Sequence, residues 1–270
     1  MKLWMLGSGS EGNAVLIECD GARVLIDAGF PMRTLARRLA LIDVAPASIE
    51  ACIITHEHSD HTRGAAMASR KWGWALHASE GTIRGWPGLG EAGAHAFRAG
   101  DRIALTRMDV DTLPIPHDAE EAVGAVVTVR SSGARAGICY DIGHVSESVR
   151  TICTDVDVLV LEANHDEGML RAGPYPYVVQ QRIAGKHGHL SNREAAGLAR
   201  DSVTPSLNHV VLAHLSQRCN DHGVARRAVN AGLTQAGFRG QLSTAMQHDV
   251  VGPFSPRSER AGPPAQYSLF

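Results

Sequence analysis

The chain has 270 residues, 44% of them hydrophobic and 20% charged, with a formal net charge of -2. That balance suits a globular protein with a large buried core, and it excludes both a disordered chain and a wholesale basic binder of nucleic acid. No apolar run approaches the ~20 residues of a membrane span, and the opening MKLWMLGSGSEGN turns glycine-rich too early for a signal peptide, so a soluble, cytoplasmic protein with no membrane partner is expected.

Two segments, NAVLIECDG and ARVLIDAG, flank Asp20-Gly21, which predicts a hairpin with a tight turn. Pro31 near the start, with Leu35, Leu39 and Ile42 at helical spacing, predicts a helix over 30–42. A short apolar strand over 51–54 then runs into a histidine-rich loop. Further strands are expected over 102–110, 123–130, 136–140, 156–161 and 209–213. Helices are expected over 63–72, 191–203 and 221–236, with Ser191 and Glu194 forming an S-x-x-E capping box for the second. Strands dominate first, helices lie between and after them, and no long repeat occurs. This order predicts a single domain over 1–251 with sheets inside and helices outside. From Gly252 the sequence becomes rich in Pro, Ser, Arg and Gly, which predicts a flexible tail over 252–270.

The five cysteines form no C-x-x-C pair and read as small core hydrophobes in a reducing compartment. The fourteen histidines are more informative. THEHSDH, residues 55–61, puts His56, His58, Asp60 and His61 in a loop directly after a strand, where side chains can converge. Imidazole and carboxylate donors suit zinc, manganese or iron rather than calcium. His117 in PIPHDA, Asp141 in CYDIGH and His214 in VVLAH fall where further strands should end. A lone histidine is more often structural than functional, but together these residues supply seven ligands, enough for two divalent ions. Two such ions ~3.5–4 Å apart lower the pKa of a shared water and clamp a phosphodiester for in-line attack.

This order of ligands, from Leu25 to His214, resembles the metallo-β-lactamase superfamily. The resemblance implies an α/β fold of the αββα sandwich type, in one compact domain. It places His56, His58 and His117 on one metal, Asp60, His61 and His214 on the other, and Asp141 between them. Asp27 in LIDAG matches a motif aspartate that orients the site. Having both Asp60 and His61 argues against the single-iron branches. LGSGSEGN and the block EANHDEGMLRAGPYPYVVQQRIAGKHGHLSN, residues 162–192, are similar to the YycJ/WalJ-type family. That likeness implies a metal-dependent exonuclease acting on DNA ends in repair or replication.

Glu162 and His189 also resemble the Glu–His pair of the tRNA 3′-processing endonuclease branch, which protonates the leaving oxygen. With Asp60 they form the expected catalytic group. The interval from Asp141 to His214 is too short for the large inserted domain of the β-CASP nucleases, and no glycine-rich protruding arm is present. Basic residues crowd the same segment, and phosphate contacts are expected from Arg182, Lys186, Arg193 and Arg218. Tyr175 and Tyr177 would stack on bases or pack internally, and His165 is the remaining histidine expected nearest the site. A small-molecule phosphodiesterase of the ribosyl cyclic phosphate type is the alternative. Thioesterase or lactonase action and a non-catalytic DNA-binding role are the further rivals.

The chain ends in QYSLF. This resembles the pentapeptide with which bacterial replication and repair proteins grip the DNA sliding clamp. Leu269 and Phe270 would anchor in an apolar pocket, Gln266 would hydrogen-bond at its rim, and the Pro/Ser/Arg-rich stretch would act as the tether. The opposing expectation is that Leu269 and Phe270 fold back onto the domain.

Overall fold

In the computed structural model, which describes residues 1–257, the Asp20-Gly21 hairpin forms as expected. Cys19 pairs with Ala22, and both turn residues take positive φ (48° and 81°), as a two-residue turn between twisted strands requires. The strands in chain order are β1 (Lys2–Gly7), β2 (Ala14–Cys19), β3 (Ala22–Ile26), β4 (Ala51–Ile54), β5 (Ala75–Ser79), β6 (His95–Phe97) and β7 (Arg102–Ala104). They continue as β8 (Met108–Pro114), β9 (Val123–Val129), β10 (Arg135–Cys139), β11 (Val158–Glu162), β12 (His209–Ala213), β13 (Gln241–Thr244) and β14 (Val251–Phe254). One sheet runs β14-β1-β2-β3-β4-β5-β6 and the other β13-β12-β11-β10-β9-β8-β7.

The period-2 alternation of the strands explains the layering. In β1, Leu3 and Met5 join the core between the sheets, where they meet Val110, Val127 and Val160. Trp4 and Leu6 point the other way, into a second core under the helix Met32–Ala40 with its Leu35 and Leu39. On the other sheet, Leu159, Leu161 and Leu212 face outward. They pack beneath the helices Glu147–Cys153, Asn192–Asp201 and His222–Gln235. Three apolar layers therefore alternate with two sheets and two helical skins: the αββα sandwich in one compact domain. Among the described residues no helix is long and apolar enough to cross a membrane.

Two expectations need correcting. The strand expected over 102–110 is two strands. Leu105 and Met108 close a turn between β7 and β8, and Glu50 accepts hydrogen bonds from both the backbone and the hydroxyl of Thr106 at that turn. The folded body also passes the expected boundary at 251. β14 pairs antiparallel with β1, Leu3 facing Phe254, and Phe254 is buried in the inter-sheet core. Pro253 is tolerated there because β14 is an edge strand. The proposed clamp-binding residues Gln266, Leu269 and Phe270 lie outside the described residues.

Candidate metal centre

The chemistry sits where strands end. Asp27 follows β3, the segment 55–61 follows β4, His117 follows β8, Asp141 follows β10, Glu162 closes β11 and His214 follows β12. β3 and β4 are parallel neighbours, as are β10, β11 and β12, so these carboxyl ends open on one edge of the sandwich. Asp27, Asp141 and His214 all hold left-handed backbone, with φ of 61°, 57° and 52°. Such strain persists only where the surroundings over-determine it, and here it turns three side chains toward one point. The loops are tied together by backbone bonds from Asn13 to Asp60 and from Ala28 to His61, both 2.8 Å. Gly29 is packed so closely on the Asp60 carbonyl that no Cβ fits.

All seven expected ligands come together. In the first group, His56 Nε2 and His117 Nε2 lie 3.1 Å and 3.3 Å from His58 Nδ1. His117 Nδ1 faces the Gly188 carbonyl, which only accepts, so its Nε2 keeps a lone pair for the cluster. Tetrahedral zinc with bonds of ~2.0–2.1 Å spaces its nitrogen donors by about 3.3 Å, close to the spacing seen here. In the second group, His61 Nδ1 donates to Asp27 Oδ2 at 2.7 Å. Its Nε2 is thereby left facing Asp141 Oδ2 at 2.9 Å and Asp60 Oδ2 at 3.4 Å. His214 Nε2 is 3.5 Å from Asp60 Oδ2. Asp141 Oδ2 and His214 Nε2 are buried with no hydrogen-bond partner. Buried polar atoms without a partner are costly, and a shared cation relieves that cost. The donor set fits two divalent ions, with Asp141 within reach of both groups.

The electrostatics divide the cluster: His56 and His117 are pushed toward the neutral form, while against burial the carboxylates push His61 and His214 toward a proton that a metal would displace. Burial pushes the His56 and His117 imidazoles down, toward the neutral form a metal needs. Burial alone would raise the Asp60 and Asp141 carboxyls. For Asp60 the neighbouring His61, then His214, outweighs it, and for Asp141 His214, then His61, does so; both end well below the usual carboxylate range. Burial likewise lowers His214, but Asp141, Asp60 and Glu162 lift it to about 10. Asp27 is held by the Thr55 amide and hydroxyl, both at 2.8 Å, and by the Tyr140 hydroxyl at 2.7 Å. It therefore orients His61 without joining the cluster, as a motif aspartate should.

Glu162 and His189 meet as expected. Glu162 Oε1 accepts from His189 Nδ1 at 2.9 Å, and Oε2 accepts from the amides of Ile142 and Leu190. Burial raises this carboxyl, yet His189 and His214 bring it down to about 2. Burial lowers His189, and Glu162 more than restores it. His189 lines a cavity of about 260 Å³ with His58, Asp60, His117, Asp141 and His214.

The basic residues divide. Arg182 lines this cavity, but its guanidinium is bound to Asp118. Arg193 pairs with Glu167 and lines a separate cavity, with His165. His165 lines that second cavity and not the metal cavity, and the charges that act on it most are those of Glu162 and His189. Lys186 is exposed, and Arg218 lies 5.8 Å from the Tyr175 ring. Sequence reasoning missed Asn13, whose Nδ2 lies 3.2 Å from His61 Nε2, and Ser8, whose hydroxyl bonds Asn13. Both fall inside LGSGSEGN, so that motif was the available signal. It also missed Asp118, which faces His58, His117 and Arg182.

Comparison with known proteins places this geometry. The Beta-lactamase superfamily domain model matches residues 22–214. The chain is 30% identical to Exodeoxyribonuclease YycJ of Bacillus anthracis, over 87% of this chain and 89% of that protein. It is 31% identical to Exodeoxyribonuclease WalJ of Streptococcus pneumoniae, again over 87% and 89%. The crystal structure of the metallo-beta-lactamase fold protein YhfI from Bacillus subtilis superposes with a TM-score of 0.68 at 16% identity, over 93% of this chain and 98% of that one, and supports the fold. The strand-end ligands, the sandwich that carries them and these relatives agree that the chain belongs to the metallo-β-lactamase superfamily, on its YycJ/WalJ branch.

Proposed function

We propose that the protein is a metal-dependent DNA exonuclease acting in repair or replication. The observation that carries this reading is the seven-ligand cluster with the Glu162–His189 pair on its flank. The names of the YycJ and WalJ relatives support DNA as the substrate class. His56, His58 and His117 would hold one ion, Asp60, His61 and His214 the other, with Asp141 shared. Two divalent ions, zinc or manganese and with iron also compatible, supply an acidified water and neutralise charge on a bound phosphodiester.

The protein's own groups do the rest. Asp27 fixes the His61 tautomer through Nδ1, and Asn13 holds the Asp60 loop. Glu162 occupies His189 Nδ1, leaving Nε2 as the atom that carries a proton to a departing 3′ or 5′ oxygen. The anionic Glu162 strengthens that imidazole's hold on a proton, against the effect of burial. Phosphates flanking the scissile bond would meet Arg182, once it leaves Asp118, with Lys186, Arg193 and Arg218 beyond. The terminal QYSLF would tether the enzyme to a sliding clamp, and a tail peptide that fails to bind purified clamp removes that part alone.

The test is digestion of end-labelled linear DNA, single- and double-stranded, in manganese or zinc, beside a His58→Ala control. Stepwise nucleotide release that the variant loses is expected. No digestion in any metal, with bis-p-nitrophenyl phosphate still cleaved, would transfer the reading to a small-molecule phosphodiesterase.

A further inference from the structure

The short helix Tyr177–Ile183 stands between two cavities. Val179, Arg182 and Ile183, at i, i+3 and i+4, line the metal cavity. Gln180, Gln181 and the C-cap Ala184 line the second cavity, on the opposite face. Tyr177 falls on that same stripe, at i to Gln181 at i+4 and Ala184 at i+7, and is 72% exposed. The helix is thus a partition, and Tyr177 stands one turn before Gln181 without itself lining the second cavity.

The second cavity is a built site. His165 lines it and is only 2% exposed, yet its buried Nδ1 has no hydrogen-bond partner. A buried nitrogen with no partner calls for a ligand or an ordered water. The charged lining largely cancels. Arg193 is paired with Glu167, and Glu194 is occupied by the amide and hydroxyl of Ser191 in a capping box. Arg171 keeps its charge, and the groups beside it are neutral: the His165 ring, the Gln181 amide, and Gln180, whose Nε2 donates to the Tyr175 carbonyl and leaves its oxygen. Leu170 and Ala184 add apolar wall. The volume, about 250 Å³, falls below the ~300–1,000 Å³ of pockets for drug-sized ligands, so it suits one ring system rather than a whole nucleotide. A planar ring with a hydrogen-bonding edge, next to a phosphate for Arg171, matches this lining.

The cavity also adjoins the reaction site along the chain. His165 is three residues from Glu162 and Ser191 two from His189. We propose that this cavity receives a single nucleobase of the bound strand, next to the scissile phosphodiester, with His165 and Gln181 on its edge and Tyr177 against its face. The proposal rests on the nuclease reading above and deepens it. The enzyme would then hold a strand across the helix, its phosphodiester on the metal side and a neighbouring base on the other. Arg171, which also lines the cavity, supplies positive charge for the phosphate beside that base.

The experiment walks one abasic residue through the terminal positions of an end-labelled oligonucleotide. At one position, loss of the base is expected to slow digestion by the parent about tenfold, the scale of one base–aromatic contact. Gln181→Ala, alone and with His165→Asn, is expected to lose that positional effect through KM, while bis-p-nitrophenyl phosphate, which has no base, is turned over as by the parent. In chelator, an oligonucleotide with 5-iododeoxyuridine at the sensitive position is expected to crosslink to Tyr177. Because Gln181 is exposed, that variant stays informative if the His165 variant misfolds. A parent that digests DNA with no sensitive position, or variants that keep the parent's discrimination, would overturn this proposal alone. Crosslinks that map elsewhere count against it equally. A parent that digests no DNA overturns the nuclease reading and this proposal together.

Discussion

The floor and the wall of the active cavity are built in opposite ways. The floor is six strand ends whose side chains are almost all buried, braced by Asp27, Asn13 and backbone bonds between loops. The wall is the helix Tyr177–Ile183, which has no buried residue and exposes Val178 at 78%. A buried, over-determined floor holds reacting groups still, which is what electrostatic preorganisation demands. A wall with few packed neighbours can yield to a long substrate, and its stability is local and low. On the proposed reading, chemistry and substrate choice fall to different physical materials, and substitutions should separate them.

The largest effects are expected in the floor. His58→Ala and Asp141→Ala should reduce activity to background by losing metal, and metal analysis of the purified variants checks this. A variant that retains both ions and full activity contradicts the ligand assignment. His189→Ala should lower kcat by about 10²–10⁴-fold with metal content unchanged, the range of general acid–base catalysis. Asp27→Ala leaves every ligand in place but frees His61 Nδ1. Its metal affinity should fall by about 10–100-fold, measured by competition with a chelator. An unchanged affinity would mean that Asp27 serves only the fold.

The smallest effect concerns stability. In protein stripped of metal, the folded Glu162 carboxyl sits near 2, below its ordinary 4.5. Its contribution is therefore complete above about pH 4.5 and is lost as pH falls from there toward 2. The thermal midpoint of stripped Glu162→Gln should fall less than the parent's across that window. Parallel curves would show that the Glu162 ion pair is not felt by the fold.

The floor was legible in the sequence because its ligands either crowd one loop, as His56 to His61 do, or follow β-branched runs such as VVLAH. Strand-end position is a one-dimensional signal. Asn13 and Asp118 were harder, since an asparagine in a glycine-rich turn or an aspartate after a histidine has ordinary explanations. The second cavity was illegible: it is made by a buried bridge between His165 and Ser191 and by one stripe of a two-turn helix. Nor does anything in the sequence reveal that Arg193, on its rim, pairs with Glu167. The strands β1, β5, β6, β13 and β14 went unread for a related reason: none carries a clear apolar alternation, and neighbours in the sheet stabilise each.

The central claim is that the metal floor hydrolyses DNA phosphodiesters with His189 as proton donor. Its most direct test compares His189→Ala on end-labelled DNA and on bis-p-nitrophenyl phosphate under identical metal loading. A DNA alkoxide needs a proton to leave, whereas p-nitrophenolate departs without one. The account predicts a loss of about 10²–10⁴-fold on DNA and a far smaller loss on the nitrophenyl ester. Equal losses on both substrates, or none on DNA, would contradict it.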